Sequence, residues 1–346
     1  MRFRPALPRN LAACLRDAKD PRPATRVAAL VDLVKHQADQ RAAVIACLEE
    51  ALRDEAATVR AAAAVGLADV GARESLAALL FAVEDQDGHV RQMALTAVGE
   101  LGDPRARERL RRALSDARPE VRFQAVIAFA RVAEDEALDA ALQAFADEDA
   151  NVRYVAVRCA EEVTLGKRRT VPEQIVQQLQ ALLGDPAPAV RIVAAVVLAR
   201  AGYRAGVPIL AEVACGRLRT PEAEDEAAAV ELSGELDLRE TVHCLARRAF
   251  GVLRWRADPF AWQALVALAR MGDARAERKI MGDLRSRDRD RRTMAVAAVG
   301  RAKLASLQAL VLAMQGQPAL ADPNAVALTL EQLNGRDPFD VPEVSF

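Results

Sequence analysis

The stretch DQDGHVRQMALTAVGELG, residues 85–102, is the unit from which the chain is built. It reads as an acidic turn, a Val-Arg pair, an Ala-rich amphipathic run and a glycine stop. The skeleton recurs as DARPEVRFQAVIAFARVA at 116–133 and DEDANVRYVAVRCAEEVT at 147–164. It appears earlier as DEAATVRAAAAVGLADVG at 54–71 and later as DPAPAVRIVAAVVLARAG at 185–202. Arg60, Arg91, Arg122 and Arg153 are each 31 apart (91−60, 122−91, 153−122), with Arg26 34 before Arg60 and Arg191 38 after Arg153. A period of roughly 20 to 50 residues marks a repeat array. Between successive arginines the apolar residues fall three and four apart, so each unit is two helices. One unit cannot bury its own apolar face, which makes stacking obligatory.

The repeated residues have physical roles. The Asp precedes the Val-Arg helix, where a carboxylate accepts from free amides or complements the positive helix end. The Arg, six residues on, sits in the first helical turn, the wrong end for a cation. Its compensating partner is the Asp of its own or a neighbouring repeat. A bidentate pair there forms a ladder along the stack, built from Asp54 and Arg60, Asp85 and Arg91, Asp116 and Arg122, Asp147 and Arg153, Asp185 and Arg191. Gly71, Gly102 and Gly202 close their helices, where a left-handed residue is cheapest for Gly.

The Asp, the Val-Arg pair six residues later, the Ala-rich helix and the 31-residue pitch resemble the HEAT family, specifically the bacterial PBS-lyase HEAT-like repeat. The match is strong from Asp54 to Gly202 and weaker on either side. The resemblance implies an all-α fold, a right-handed α-α superhelix (armadillo-type α-solenoid) of about ten HEAT-like helix pairs. It further implies Val-Arg helices on the concave side and the preceding helices on the convex side. It implies no activity, because the repeat serves mostly to bind other proteins.

Residues 1–334 read as a single solenoid, with regular repeats at 54–202, divergent repeats at 203–302 and a terminal pair at 303–334. Residues 335–346, with two prolines and two phenylalanines, form a tail that caps the last repeat or serves as a docking peptide. Asn10 caps a first helix over 11–19. The helix PEAEDEAAAVELSGE lacks Val-Arg and carries Glu222, Glu224, Asp225, Glu226 and Glu231, a second possible docking site near Glu224. Phe260-Ala261 stand where Val-Arg is due, and Arg292 restores the pattern with Ser286 in the Asp position.

Hydrophobic residues make up 52% and aromatics 4%, so Ala, Leu and Val do the packing. A net charge of −1 with 28% charged residues argues against a dedicated nucleic-acid surface, so no nucleic-acid partner is expected. No apolar run reaches the length of a membrane span, LAACL is too short for a signal-peptide core, and a cytoplasmic location follows. Cys14, Cys47, Cys159, Cys215 and Cys244 sit singly in helical runs with no Cys-x-x-Cys pair, as buried small side chains in a reducing compartment do.

On each Val-Arg helix the first, second, fifth and ninth residues after the Arg face outward. This gives Ala61, Ala62, Val65 and Asp69, then Gln92, Met93, Thr96 and Glu100. Next come Phe123, Gln124, Ile127 and Arg131, then Tyr154, Val155, Arg158 and Glu162, then Ile192, Val193, Val196 and Arg200. Aromatic and aliphatic groups at equivalent positions, edged by arginines, suit a protein-binding hot spot. The alternative is that curvature packs them between helices. Trp262, Gln263 and Arg270 take the same places beside the acidic helix, as a secondary candidate.

No catalytic residue, metal ligand or cofactor is expected. Deoxyhypusine hydroxylases of this fold class use His-Glu pairs, whereas His36, His89 and His243 precede Gln37, Val90 and Cys244. HEAT-like DNA glycosylases use Trp, Asp and Arg on a basic face. Trp255, Asp258, Trp262 and Arg270 supply those types, but the acidic helix repels phosphate. Phycobilin lyase subunits are built from this repeat too, and nothing here marks a bilin site. The favoured expectation is a non-enzymatic scaffold for one or more proteins, with the lyase-like subunit as the alternative.

Overall fold

A computed structural model describes residues 9–167, 170–251 and 258–335. These residues form 20 α-helices, with no strand among them. The chain divides into two compact units, Met1–Lys167 and Arg168–Phe346.

The first unit contains α1 (Leu11–Asp17), α2 (Pro23–Leu33), α3 (Gln37–Ala51), α4 (Ala57–Asp69) and α5 (Leu76–Ala82), then α6 (Gly88–Leu101), α7 (Arg107–Ala113), α8 (Pro119–Val132), α9 (Ala137–Ala144) and α10 (Ala150–Val163). They pair as five hairpins. Each of α2, α4, α6 and α8 packs along the long helix of the following pair, whereas α5, α7 and α9 pack chiefly on the long helices flanking them in sequence. The Val-Arg helices are therefore the closely packed layer of this unit. Asn10 accepts from the Ala13 amide as the sequence leads one to expect, although α1 ends at Asp17. The 34-residue step between Arg26 and Arg60 is taken up by α3, which runs 15 residues through a kink at Gln40.

Small residues make the close packing possible. A Cβ on Gly99 of α6 would lie 2.9 Å from the Cα and Cβ of Ala128 on α8, so these two backbones approach as only a glycine allows. Leu67, Leu95 and Phe129 are buried between the layers, each contributing roughly 2 kcal/mol of apolar burial. Gly71 and Gly102 have φ of +63° and +62°, the left-handed helix stops read from the sequence.

The second unit contains α11 (Glu173–Leu182), α12 (Pro188–Arg200), α13 (Val207–Ala214), α14 (Ala223–Glu235) and α15 (Val242–Phe250), then α16 (Ala261–Arg270), α17 (Ala274–Leu284), α18 (Arg289–Arg301), α19 (Gln308–Leu312) and α20 (Pro323–Leu333). These again make five pairs, ten in all. The terminal pair is reduced, because α19 has five residues after a short 3-10 turn at Ala305–Leu307. The tail from Arg336 onward, Trp255, and Arg168-Arg169 lie outside the described residues.

Cys215 and Cys244 correct the expectation of isolated thiols. They are joined in a disulfide, Cα to Cα 5.0 Å, across 29 residues. Cys14, Cys47 and Cys159 are free, and burial pushes the Cys159 thiol up to about 12. Spacing concealed the bond because the two cysteines come from successive short segments, the end of α13 and the body of α15, that only stacking brings together.

Candidate functional site

The ladder sets the register of the long helices, and so of anything displayed on them. Arg60 donates through Nε and Nη2 to both carboxylate oxygens of Asp85, at 2.7 and 2.8 Å. Arg91 grips Asp116 at 2.8 and 2.8 Å, and Arg122 grips Asp147 at 2.8 and 2.8 Å. Each arginine thus reaches forward to the Asp of the next repeat. Its Nη1 turns back to its own repeat, where the Asp contributes a backbone carbonyl, as from Arg122 to Asp116 O at 2.9 Å. Arg153 and Arg191 likewise donate to the carbonyls of Asp147 and Asp185, both at 2.7 Å.

The Asp does not cap the helix itself. Its Oδ1 accepts from the amide two residues on, as Asp85 does from Asp87 at 2.8 Å and Asp185 from Ala187 at 2.8 Å. This Asx turn aims the chain into the helix. Burial pushes the carboxyls of Asp85, Asp116 and Asp147 up, but the hydrogen bonds from Arg60, Arg91 and Arg122 and from the turn amides outweigh it, holding all three below the ordinary carboxylate value. In α18 the role passes to Ser286, whose carbonyl accepts from Arg292 Nη1 at 2.6 Å while Nε and Nη2 reach the carbonyls of Leu320 and Ala319.

On the free face of the long-helix layer in the first unit, the outward positions fall into a graded strip. Gln92, Met93, Phe123, Gln124, Ile127, Tyr154 and Arg158 are half-buried, and Asp69, Glu100, Arg131 and Glu162 are exposed. Val65 is 37% exposed, and Val31, at the equivalent place on α2, is 57% exposed. Val31 was missed because the reading began at Arg60, although Arg26 carries the same signature. The Tyr154 hydroxyl accepts from Arg158 Nε at 3.3 Å, the guanidinium lies 5.7 Å from the ring centre, and its Nη1 donates to Glu161 at 2.7 Å. Ala61 and Val155 depart from the expected pattern, being 3% and 7% exposed.

The strip does not extend onto α12 as expected. Ile192, Val193 and Val196 are fully buried. Ile192 and Val196 belong to the core formed with Leu210, Val213, Ala229 and Leu232. Only Arg200 of that set is exposed. An unbroken apolar run such as IVAAVVLA has no polar face to show which side meets solvent.

The secondary candidates are placed differently from one another. Trp262 is half-buried under Arg301, 5.3 Å from ring to guanidinium. Arg270 donates to the carbonyl of Arg301 at 3.0 Å. The Gln263 side-chain oxygen is buried, so Gln263 points inward. On α14, Asp225 is fully buried, Glu226 accepts from Arg248 at 2.6 Å and Glu231 from Arg301 at 3.0 Å. Glu222 and Glu224 are left as the exposed carboxylates of that group. Phe81 on α5, 81% exposed, and Met294 on α18, 52% exposed, were not singled out from the sequence. Met294 stands two residues after Arg292, and that signal could have found it.

Among the described residues no group of His, Cys, Asp and Glu is placed to hold a metal ion, and no helix is long and apolar enough to cross a membrane.

Residues 77–161 and 138–232 match the family described as HEAT repeats. These are HEAT repeats. Among solved structures, the chain is similar to YibA of Escherichia coli, with 16% identity and a TM-score of 0.54 over 78% of this chain and 99% of that one. It is similar to importin beta, with 13% identity and a TM-score of 0.53 over 94% of this chain and 51% of that one. At such identities the likeness concerns the fold alone. The complex of CpcE and CpcF of phycocyanin lyase from a Nostoc species overlaps more loosely, at 19% identity and a TM-score of 0.44 over 70% of this chain and 94% of that one. A search of curated proteins finds no significant match.

Proposed function

We propose that this HEAT-repeat protein is a non-enzymatic scaffold that binds another protein along the strip of the first unit running from Val31 through Val65, Met93, Ile127 and Phe123 to Tyr154. The observation that carries this reading is solvent-facing apolar surface at the same helical position of the first two repeats, Val31 57% and Val65 37% exposed, followed on the later long helices by half-buried Met93, Phe123, Ile127 and Tyr154. Exposed apolar groups collected on one face mark interaction surfaces. Exposed Asp69, Glu100, Arg131 and Glu162 lie along its margin, the polar rim of an interface. The one basic group among three acidic ones there would fix the register of a bound segment more than its affinity.

The test is affinity capture from lysate of the source organism, followed by a titration with the captured protein. Phe123→Ala with Tyr154→Ala weakens binding by more than about 2 kcal/mol, roughly thirtyfold, and Val65→Glu does so without removing a buried side chain. Phe81→Ala, on the opposite layer, leaves affinity unchanged. Equal affinity for all of these variants would remove the strip. Loss on Phe81→Ala alone would move the site to the short-helix layer.

A further inference from the structure

α7 and α17 are both rich in arginine, but their arginines are answered differently. On and beside α7 every arginine from Arg105 to Arg112 meets a carboxylate: Arg105 pairs with Asp103, Arg107 with Asp135 and Glu136, Arg109 and Arg112 with Glu84, and Arg111 with Glu136. Two of these acids stand in the 3-10 turn Glu134–Glu136, which opens the next repeat. The corresponding turn after α18 is Ala305–Leu307, and it brings no acid. Its Ser306 hydroxyl donates instead to Glu277 at 2.6 Å. The turn from α17 into α18 has also lost the ladder Asp, with Ser286 in its place.

Ala276, Ile280 and Leu284 bury the inner face of α17. At about 100° per residue, Arg275, Arg278, Lys279 and Arg285 fall on the opposite side within an arc of about 120°, with Gly282 among them, and all five are exposed. A Cβ on Gly282 would meet nothing within 4 Å, so the row is open at its centre. Arg275 pairs with Asp273 at 2.9 Å and Lys279 with Asp283 at 2.6 Å. Arg278, Arg285 and Arg287, the last in the turn to α18, are exposed and pair with no described carboxylate. Like charges three and four apart on one helix face are destabilising, and an anion laid along them relieves the repulsion.

We propose that the outward face of α17 docks an acidic segment of a partner protein, with its carboxylates seated on Arg278, Arg285 and Arg287. Seven residues separate Arg278 from Arg285, which places them about 10 Å apart along the axis with both forks free to take a carboxylate by two parallel bonds. The row from Arg275 to Arg285 is about 15 Å long. It carries no aromatic ring on which a base could stack and no apolar side chain to enter a bilayer. Phe250 lies beneath the Arg275 guanidinium, 5.3 Å from ring centre to carbon, and is covered by it. The face belongs to the second unit and owes nothing to the strip of the first.

The probe is fluorescein-labelled decaglutamate, titrated with the full chain and followed by anisotropy. Binding weakens as salt rises from about 50 to 200 mM, and Arg278→Glu with Arg285→Glu weakens it about tenfold. Arg109→Glu with Arg112→Glu makes the same change of net charge on α7, and affinity stays within about twofold of wild type. Helical circular dichroism checks that both double variants are folded; the four side chains are at the surface. Absence of binding by wild type, unchanged affinity in the α17 variant, or equal weakening by the two double variants would overturn the docking face. A decathymidylate that displaces the probe at lower concentration than unlabelled decaglutamate would assign the face to nucleic acid. Retention of wild type but not the α17 variant on phosphatidylserine vesicles would assign it to a membrane surface. Either of these results overturns the assignment to a protein segment.

Discussion

Arg122 joins two repeats through a single planar group, with two hydrogen bonds forward to Asp147 and one back to the carbonyl of Asp116. Its side chain is 9% exposed, so Arg122→Ala leaves a mostly buried carboxylate without its partner, and about 2 kcal/mol of stability is lost in urea unfolding. Arg105→Ala removes an equally short pair with Asp103, but Arg105 is 73% exposed and the urea midpoint stays where it is. Acid separates the same two roles. Asp147 is held below its ordinary value of 3.8. Its contribution is therefore complete above that value and is lost as pH falls through the depressed one. The gap between wild type and Arg122→Ala accordingly narrows from neutral pH to about pH 3; a constant gap would show that the carboxylate is not the partner that matters. The residue pattern announced an Asp-Arg ladder but not its direction. A repeat presents the same Asp to the Arg before it and the Arg after it, and only the helix stacking decides between them.

Glycine has two separate uses in the helices. Gly99 sits where α6 meets α8, and Gly99→Ala drives a methyl to 2.9 Å from the Ala128 backbone, costing about 1–3 kcal/mol as the helices part. Gly102 has open space around it and φ of +62°, so Gly102→Ala costs only about 1 kcal/mol of backbone strain. Thermal melts of the two variants give that order, and the reverse order would misplace the contact. Gly102 was legible from its position after the periodic run. Gly99 was not, because a mid-helix glycine states that something approaches without stating what. The same limit hid Ile192 in the core of the second unit and the pairing of Cys215 with Cys244. Thiol titration of denatured protein, prepared without reductant, gives three free thiols if that bond forms, against five with reductant. Five in both would restore the expectation of isolated cysteines.

Ten helix pairs, their order and the repeat period were legible because each unit restates the same turn, cap and apolar spacing. The candidate surface was legible in part, for a physical reason. Outward positions can be counted from the Arg wherever a helix alternates polar and apolar faces, as α6 and α8 do, and on α10 except at Val155. Counting fails where the run is apolar throughout, as in α12, or where the signature dissolves, as after Gly202.

The forward reach of each Arg has a consequence for how such a chain lengthens. A segment such as 85–115 brings an acceptor for the repeat before it and a donor for the repeat after it, so neither end is specific to its present neighbour. Copied in tandem behind itself, it leaves Arg91 to meet the new copy's Asp and the new copy's Arg to meet Asp116, so the one pair exchanged is replaced by two of the same kind. Growth by duplication is thus written into the chemistry of the joint, and change of function is left free to act on the outward side chains alone.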